Sequence, residues 1–289
     1  MEEKVLAEED NKVEKTIKCL NCGTEFQGKF CPECGQRADT GRFTIKFIFT
    51  NFLQAILSND GGIWITLKSL FTRPGQMMVD IINGKFRSYF SPFPMLFLTL
   101  SLYVVIFTFT GSKKDDFDWF DEEAMEVALK DDTVTTEQNE AQIVINKVKP
   151  YVIYSLKFYQ NNYAFCYLFT IPVYILAARM SFGRQNRRRY NWGEYCIPIV
   201  YSLILIILYR CLMSIAFYMS KPLFDKMSDL MIIVSIVVFT ACFKKMMDFN
   251  ILKTVWRSLL TKVFYVILMV SLIGIICVIG FAIAYSSVS

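Results

Sequence analysis

The sequence predicts an all-α polytopic membrane protein with about five transmembrane helices, a small N-terminal four-cysteine zinc ribbon, and interfacial amphipathic helices between them. Three observations lead there. Long uncharged apolar runs recur through the later two-thirds of the 289 residues, and 54% of the chain is hydrophobic. Basic residues gather in alternate connections between those runs. Four cysteines stand in two Cys-x-x-Cys pairs near the N-terminus.

Residues 1–18 are charged and lack aromatics, so they read as a flexible acidic and polar tail. No cationic segment precedes an apolar stretch there, so no cleavable signal peptide is expected and the first span directs insertion. Residues 19–36 contain Cys19-Leu20-Asn21-Cys22-Gly23 and Cys31-Pro32-Glu33-Cys34-Gly35. Cysteines three apart let one tight turn aim both sulfurs at a point, and the following Gly23 and Gly35 suit a turn with positive φ. Two such knuckles make a tetrahedral four-thiolate site, for which Zn2+ is the usual ion; iron is the alternative, since four thiolates suit it too. A closed site of four cysteines has no open coordination position, so the metal's expected role is structural. The linker around Gly28 predicts a small hairpin. Lys29 and Arg37 against Glu25 and Glu33 make no basic footprint, which argues against nucleic acid.

Residues 43–87 predict cytoplasmic-side amphipathic helices. Over residues 44–59, Ile45, Ile48, Phe49, Phe52, Ile56 and Leu57 share one face. A second helix carries Ile63, Trp64, Leu67, Leu70 and Phe71 and stops near Pro74-Gly75. Met77, Met78, Ile81 and Ile82 form a third turn or two, closed by Gly84. Each is too short to cross a ~30 Å hydrocarbon core, so they lie along the inner interface or beneath the bundle.

Residues 88–289 predict the transmembrane bundle. The runs are 88–112, 159–178, 195–220 (interrupted by Arg210), 230–243 and 263–289. The fourth is short, and spans only if it extends back through Pro222, Leu223 and Phe224 or the bilayer thins. Arg179, Arg184, Arg187, Arg188 and Arg189 oppose Glu194 in one connection; Lys244, Lys245, Lys253, Arg257 and Lys262 oppose Asp248 in another. Both are expected in the cytoplasm. The segment 113–157 has eleven acidic and six basic residues and is expected outside, where it forms a solvated lid or a docking surface. These assignments alternate only with the N-terminus inside and the C-terminus outside.

The chain has no histidine, which excludes Ser-His and Cys-His catalysis, and no nucleophile motif or carboxylate pair is apparent. Lys85, Arg87, Arg187, Arg188 and Arg189 read first as inner-side anchors, and second as contacts to anionic lipid or phosphate. Asp60 and Arg73 mark turns at the cytoplasmic face. Arg210 is a candidate intramembrane polar site, which either snorkels outward or lines a polar interior, with no carboxylate in the other spans to pair with it. The single cysteines Cys166, Cys196, Cys211, Cys242 and Cys277 are given no chemistry. The functional expectation is a binding, scaffold, assembly or regulatory component that meets a protein partner through the ribbon and anionic lipid through its basic loops. The alternative is a small-solute or lipid transporter with a polar pathway near Arg210.

The cysteine knuckles, together with Asp60-Gly61-Gly62, Thr66, Leu70, Pro74-Gly75 and Gly84-Lys85-x-Arg87-x-Tyr89-x-x-Pro92, carry a resemblance. Over roughly its first third the chain resembles a bacterial family of uncharacterised membrane proteins with an N-terminal zinc ribbon and several transmembrane helices. The resemblance implies that architecture in the bacterial inner membrane, and no activity.

Overall fold

A computed structural model of the protein describes residues 16–40, 42–44, 62–110 and 163–286; for 163–167, Gln185, 276, 277 and 279–286 it describes the backbone alone. All of the expected helix over 44–59 beyond Thr44, Asp60, the acidic segment 113–157 and the side chains of Cys166 and Cys277 lie outside the described residues.

Two two-residue strands, β1 (Ile17–Lys18) and β2 (Glu25–Phe26), pair antiparallel, with Ile17 opposite Phe26. Phe30 bridges Arg37 in a second, smaller ladder. Each knuckle therefore sits at the tip of its own short hairpin. The expected hairpin around Gly28 is corrected: the strands flank the knuckles rather than the linker. The reason is local, because a knuckle turn reverses the chain and brings the residues on either side of it together. Strand β1 starts at Ile17, inside the stretch read as tail.

The remaining regular structure among the described residues is helical: α1 (Gly62–Thr72), α2 (Pro74–Ile82), α3 (Pro92–Phe109), α4 (Tyr163–Ser181), α5 (Gly183–Arg189), α6 (Trp192–Met219), α7 (Lys221–Met247) and α8 (Ile251–Ser286). Proline occupies the first turn of α2, α3 and α7, where its missing N–H costs nothing. The two amphipathic helices expected on either side of Pro74 are α1 and α2, and a glycine at φ +93°, Gly84, follows α2.

Helix α6 is the hub, packed against α2, α3, α4 and α7. Tyr195 to Ile207 is buried without a break, as expected of a helix apolar all round. Helix α8 is as apolar, yet almost all of its most hydrophobic window is uncovered. Val263, Val266, Ile267 and Val270 face outward there, as do Leu98, Leu102 and Val105 on α3 and Ile232, Ile233 and Val237 on α7. An apolar belt this extensive is stable only against lipid. Helices α3, α6 and α7 and Ile251–Ile275 of α8 are long and apolar enough to cross a membrane. Helix α4 has 19 residues, or ~28 Å at ~1.5 Å each, close to the hydrocarbon thickness. Its described side chains, from Leu168 on, form an apolar helix.

Three loop assignments are corrected. Helix α7 begins at Lys221, so Asp225 and Asp229 are helical rather than in a loop, and its 27 residues are ample to span. Only Ser220 separates it from α6. Helix α8 begins at Ile251, which puts Lys253, Arg257 and Lys262 within it and shortens the connection to Asp248–Asn250, with Asp248 left-handed at φ 53°. Glu194 belongs to the first turn of α6 and is 1% exposed.

Candidate metal centre and its collar

The four expected ligands converge. One sulfur from each of Cys19, Cys22, Cys31 and Cys34 lies within 4.8 Å of every other. Cys19 and Cys34 are 3.5 Å apart at sulfur, as are Cys22 and Cys31. A tetrahedral site with metal–sulfur bonds of ~2.3 Å needs sulfurs ~3.8 Å apart, so the set fits a metal, whereas a disulfide needs ~2.0 Å. Gly23 and Gly35 have φ +84° and +71°, as their place after each pair requires. Within each knuckle the glycine N–H donates to the first cysteine's carbonyl at 2.8–2.9 Å. Hydrogen bonding with the Thr24 side chain and backbone pulls the Cys22 thiol down to about 6. Burial pushes Cys34 up to about 12. Metal binding at such a set is coupled to loss of thiol protons, so occupancy is expected to rise with pH.

The ribbon does not stand alone. Gln36, 4% exposed, donates from Nε2 to the Gly84 carbonyl at 2.8 Å, and its Oε1 accepts from the backbone N–H of Phe86 and Arg87. Asn21 Oδ1 accepts from both the N–H and the hydroxyl of Ser88. Arg87 Nε donates to the Cys34 carbonyl at 3.1 Å, and Leu20 packs against Gly84. Both knuckles thus hold the backbone of residues 84–88, the collar that leads into α3. Sequence reasoning singled out Arg87 as an anchor or lipid contact; in the structure it donates to a ligand cysteine's carbonyl.

A strap continues from the ribbon into the bundle. Phe43 is 4% exposed within the main core and packs 5.8 Å from Phe86. Arg42 makes a forked pair with Glu194, both N–O distances being 2.8 Å, and also donates to the Arg189 carbonyl. Asn191 and Glu194 form a reciprocal capping box that starts α6. Gly193 admits the strap: a Cβ there would meet the Phe43 carbonyl at 2.7 Å.

A family model described as Protein of unknown function (DUF3667) matches residues 60–104. No curated protein and no solved structure matches the chain. The matched stretch holds α1, α2, the collar and most of α3, and leaves the four cysteines outside it.

Inside the matched stretch lies a group the sequence reading passed over. Asp80, 9% exposed, accepts from Gln76 at 3.0 Å, from the Tyr89 hydroxyl at 3.0 Å and from Lys85 at 3.2 Å. Lys85 thus braces the collar. Burial opposes ionisation of Asp80, but the three donors outweigh it and hold the carboxyl below its ordinary 3.8. A depressed folded pKa adds stability that is complete above the unfolded value and lost as pH falls through the folded one. The stability gap between wild type and Asp80→Asn is therefore expected to be constant from pH 8 to about 5 and to close below about 4. Thermal unfolding of both proteins across that range measures it; a gap independent of pH would contradict it. Part of the signal was present in the spacing, since Gln76 and Asp80 lie four apart on α2, whereas Lys85 reaches Asp80 from beyond the helix end.

The remaining candidates disperse. Arg73 is exposed between α1 and α2; Arg187, Arg188 and Arg189 are exposed on α5, whose Asn186 and flanking Phe182 and Tyr190 are buried. Arg210 is half-buried on α6, its carbonyl accepting from Ser214 Oγ at 3.1 Å. Cys196, Cys211 and Cys242 are buried free thiols.

Proposed function

We propose that the chain is a binding component of the bacterial inner membrane, with scaffold, assembly or regulatory duty, and that a structural Zn2+ in the four cysteines folds the ribbon that receives a protein partner. The observation that carries the reading is the collar. The ribbon's side chains satisfy the backbone of residues 84–88, so an event at the ribbon acts on the start of α3 and, through Phe43 and Arg42, on α6. The intracellular compartment keeps the thiolates reduced for zinc. Support for a cytoplasmic ribbon comes from the charges: Arg179, Arg184, the α5 arginines, Lys244 and Lys245 sit at the helix ends that the ribbon and strap adjoin. The exposed arginines of α5 suit anionic headgroups at that face.

Two measurements test this. Affinity purification of wild type and Cys19→Ser from the same membranes is expected to show a partner that only wild type retains, both proteins remaining integral. Reporter fusions at residues 115 and 289 are expected to report the side opposite the N-terminus. Identical partner profiles for the two proteins would overturn the ribbon as the binding element, and fusions reporting the N-terminal side would overturn the orientation.

A further inference from the structure

We propose that Lys262 and Ser258 of α8, with Tyr174 of α4 aligning the ammonium, form an intramembrane site for a phosphate oxyanion. Lys262 lies within the apolar stretch Ile251–Ile275, ~16 Å along the helix from its start at ~1.5 Å per residue. Its Nζ donates to the Tyr174 hydroxyl at 3.3 Å, and sits 5.1 Å from the Tyr174 ring centre and 5.6 Å from that of Phe239. Aromatic faces attract a cation but do not neutralise it.

The described residues supply no counter-charge. Their three ion pairs are Arg37–Asp39, Arg42–Glu194 and Lys85–Asp80. On α7, which carries Phe239, the nearest carboxylate is Asp229, ~15 Å along the axis, and just past its other end Asp248 lies ~14 Å from Phe239. A cation held inside a span pairs with a charge or lines a pathway, so the missing anion comes from outside the described chain.

Ser258 is the second, independent observation. It is 0% exposed, and its Oγ has no hydrogen-bond partner among the described residues. Hydroxyls in apolar helices ordinarily bond the carbonyl four residues back, and its neighbours on α8 do so: Thr254 to Asn250 and Thr261 to Arg257. Ser258 departs from that pattern. It precedes Lys262 by four residues, which places both on one helix face with Cβ atoms ~6 Å apart. An ammonium and an unsatisfied hydroxyl at that spacing suit an anion with several acceptor oxygens. Phosphate has them, and in a bilayer the phosphate nearest to hand is a lipid headgroup. Val266, four residues after Lys262 on that face, is uncovered, so lipid reaches the Lys262 end of the site while Ser258 forms its buried end.

The test uses the full chain purified in neutral detergent or in phosphatidylcholine nanodiscs doped with phosphatidylglycerol. Native mass spectrometry counts retained phosphatidylglycerol, and calorimetry measures inorganic phosphate. Wild type is expected to retain phosphatidylglycerol, Lys262→Gln to lose it at least tenfold, and Lys262→Arg to keep it. Ser258→Ala removes one oxygen from a packed helix and is expected to fold and to weaken retention several-fold. Inorganic phosphate that binds wild type, displaces the lipid and fails with Lys262→Gln would identify free phosphate as the source. Retention in Ser258→Ala and in either Lys262→Gln or Lys262→Met equal to wild type, with no phosphate heat from wild type, would overturn the site and leave Lys262 as a packing residue over two rings.

Discussion

Cys31→Ser is expected to abolish stoichiometric metal binding and to free the ribbon from the collar, while the helices stay inserted. The ribbon's own core is Cys19, Phe26 and Cys31, lined by Ile17, Cys34 and Ala38. That is far too little apolar surface to offset the conformational entropy of some twenty residues. A metal held by the four cysteines would supply the difference, since a structural zinc contributes about 10–16 kcal/mol in small peptides. Removing one of four thiolates leaves a site whose affinity falls by orders of magnitude. Elemental analysis is expected to find less than a tenth of the wild-type metal. Limited proteolysis is expected to cut residues 16–44 rapidly and leave the bundle intact. Cys242→Ser, at a buried thiol remote from the knuckles, is the control and is expected to keep full metal. A Cys31→Ser protein with wild-type metal and protease resistance would show that collar and strap hold the ribbon unaided.

How far the sequence anticipates this arrangement depends on whether the signal is local. Cys19, Cys22, Cys31 and Cys34 declare themselves because spacing alone dictates that two turns each present two sulfurs. Helices α1 and α2 follow from their apolar period and from Pro74, and the apolar run of α6 from its length. What was not legible was contact between distant segments. Gln36 reads as an ordinary polar residue after a knuckle; that it satisfies Gly84, Phe86 and Arg87 follows only from docking. Asp80 drew no reading from the sequence, because the Tyr89 hydroxyl that folds back over it comes from beyond the helix.

Charge misled at the ends of the later spans. Counting charged residues as loop put Asp225, Asp229, Lys253, Arg257 and Lys262 outside helices that in fact contain them. A helix has no reason to stop at a charge when its hydrogen-bond ladder can continue, and only Ser220 and Asp248–Asn250 break it here. Lys262, which the sequence places in a loop, thereby joins Arg210 as a cation within an apolar helix. Trp256, 61% exposed and less than two turns earlier on α8, fits an interfacial aromatic and was the available hint that the helix had already begun.

Arg42→Ala is expected to destabilise the folded protein more than Glu194→Gln does, although the two remove the same ion pair. The asymmetry comes from exposure: Arg42 has 63% of its side chain in solvent and Glu194 only 1%. Deleting the glutamate's charge leaves an arginine that water can hydrate, while the glutamine still offers an oxygen to the Asn191 N–H and keeps much of the cap; a loss of about 1–2 kcal/mol is expected. Deleting the arginine strands a buried carboxylate with the Asn191 N–H still donating to it, and losses of about 3 kcal/mol follow from such uncompensated charges. The double variant removes the stranded charge and is expected to be more stable than Arg42→Ala alone. Denaturant unfolding of the four proteins in one detergent closes the cycle. Equal losses from the two single changes would contradict the asymmetry, and losses that add in the double variant would mean that the forked bond contributes nothing. The expected order, in contrast, makes the strap a latch whose strength resides at α6. Releasing it unseats Phe43 from the core and loosens the link between ribbon and hub helix, with all four metal ligands untouched.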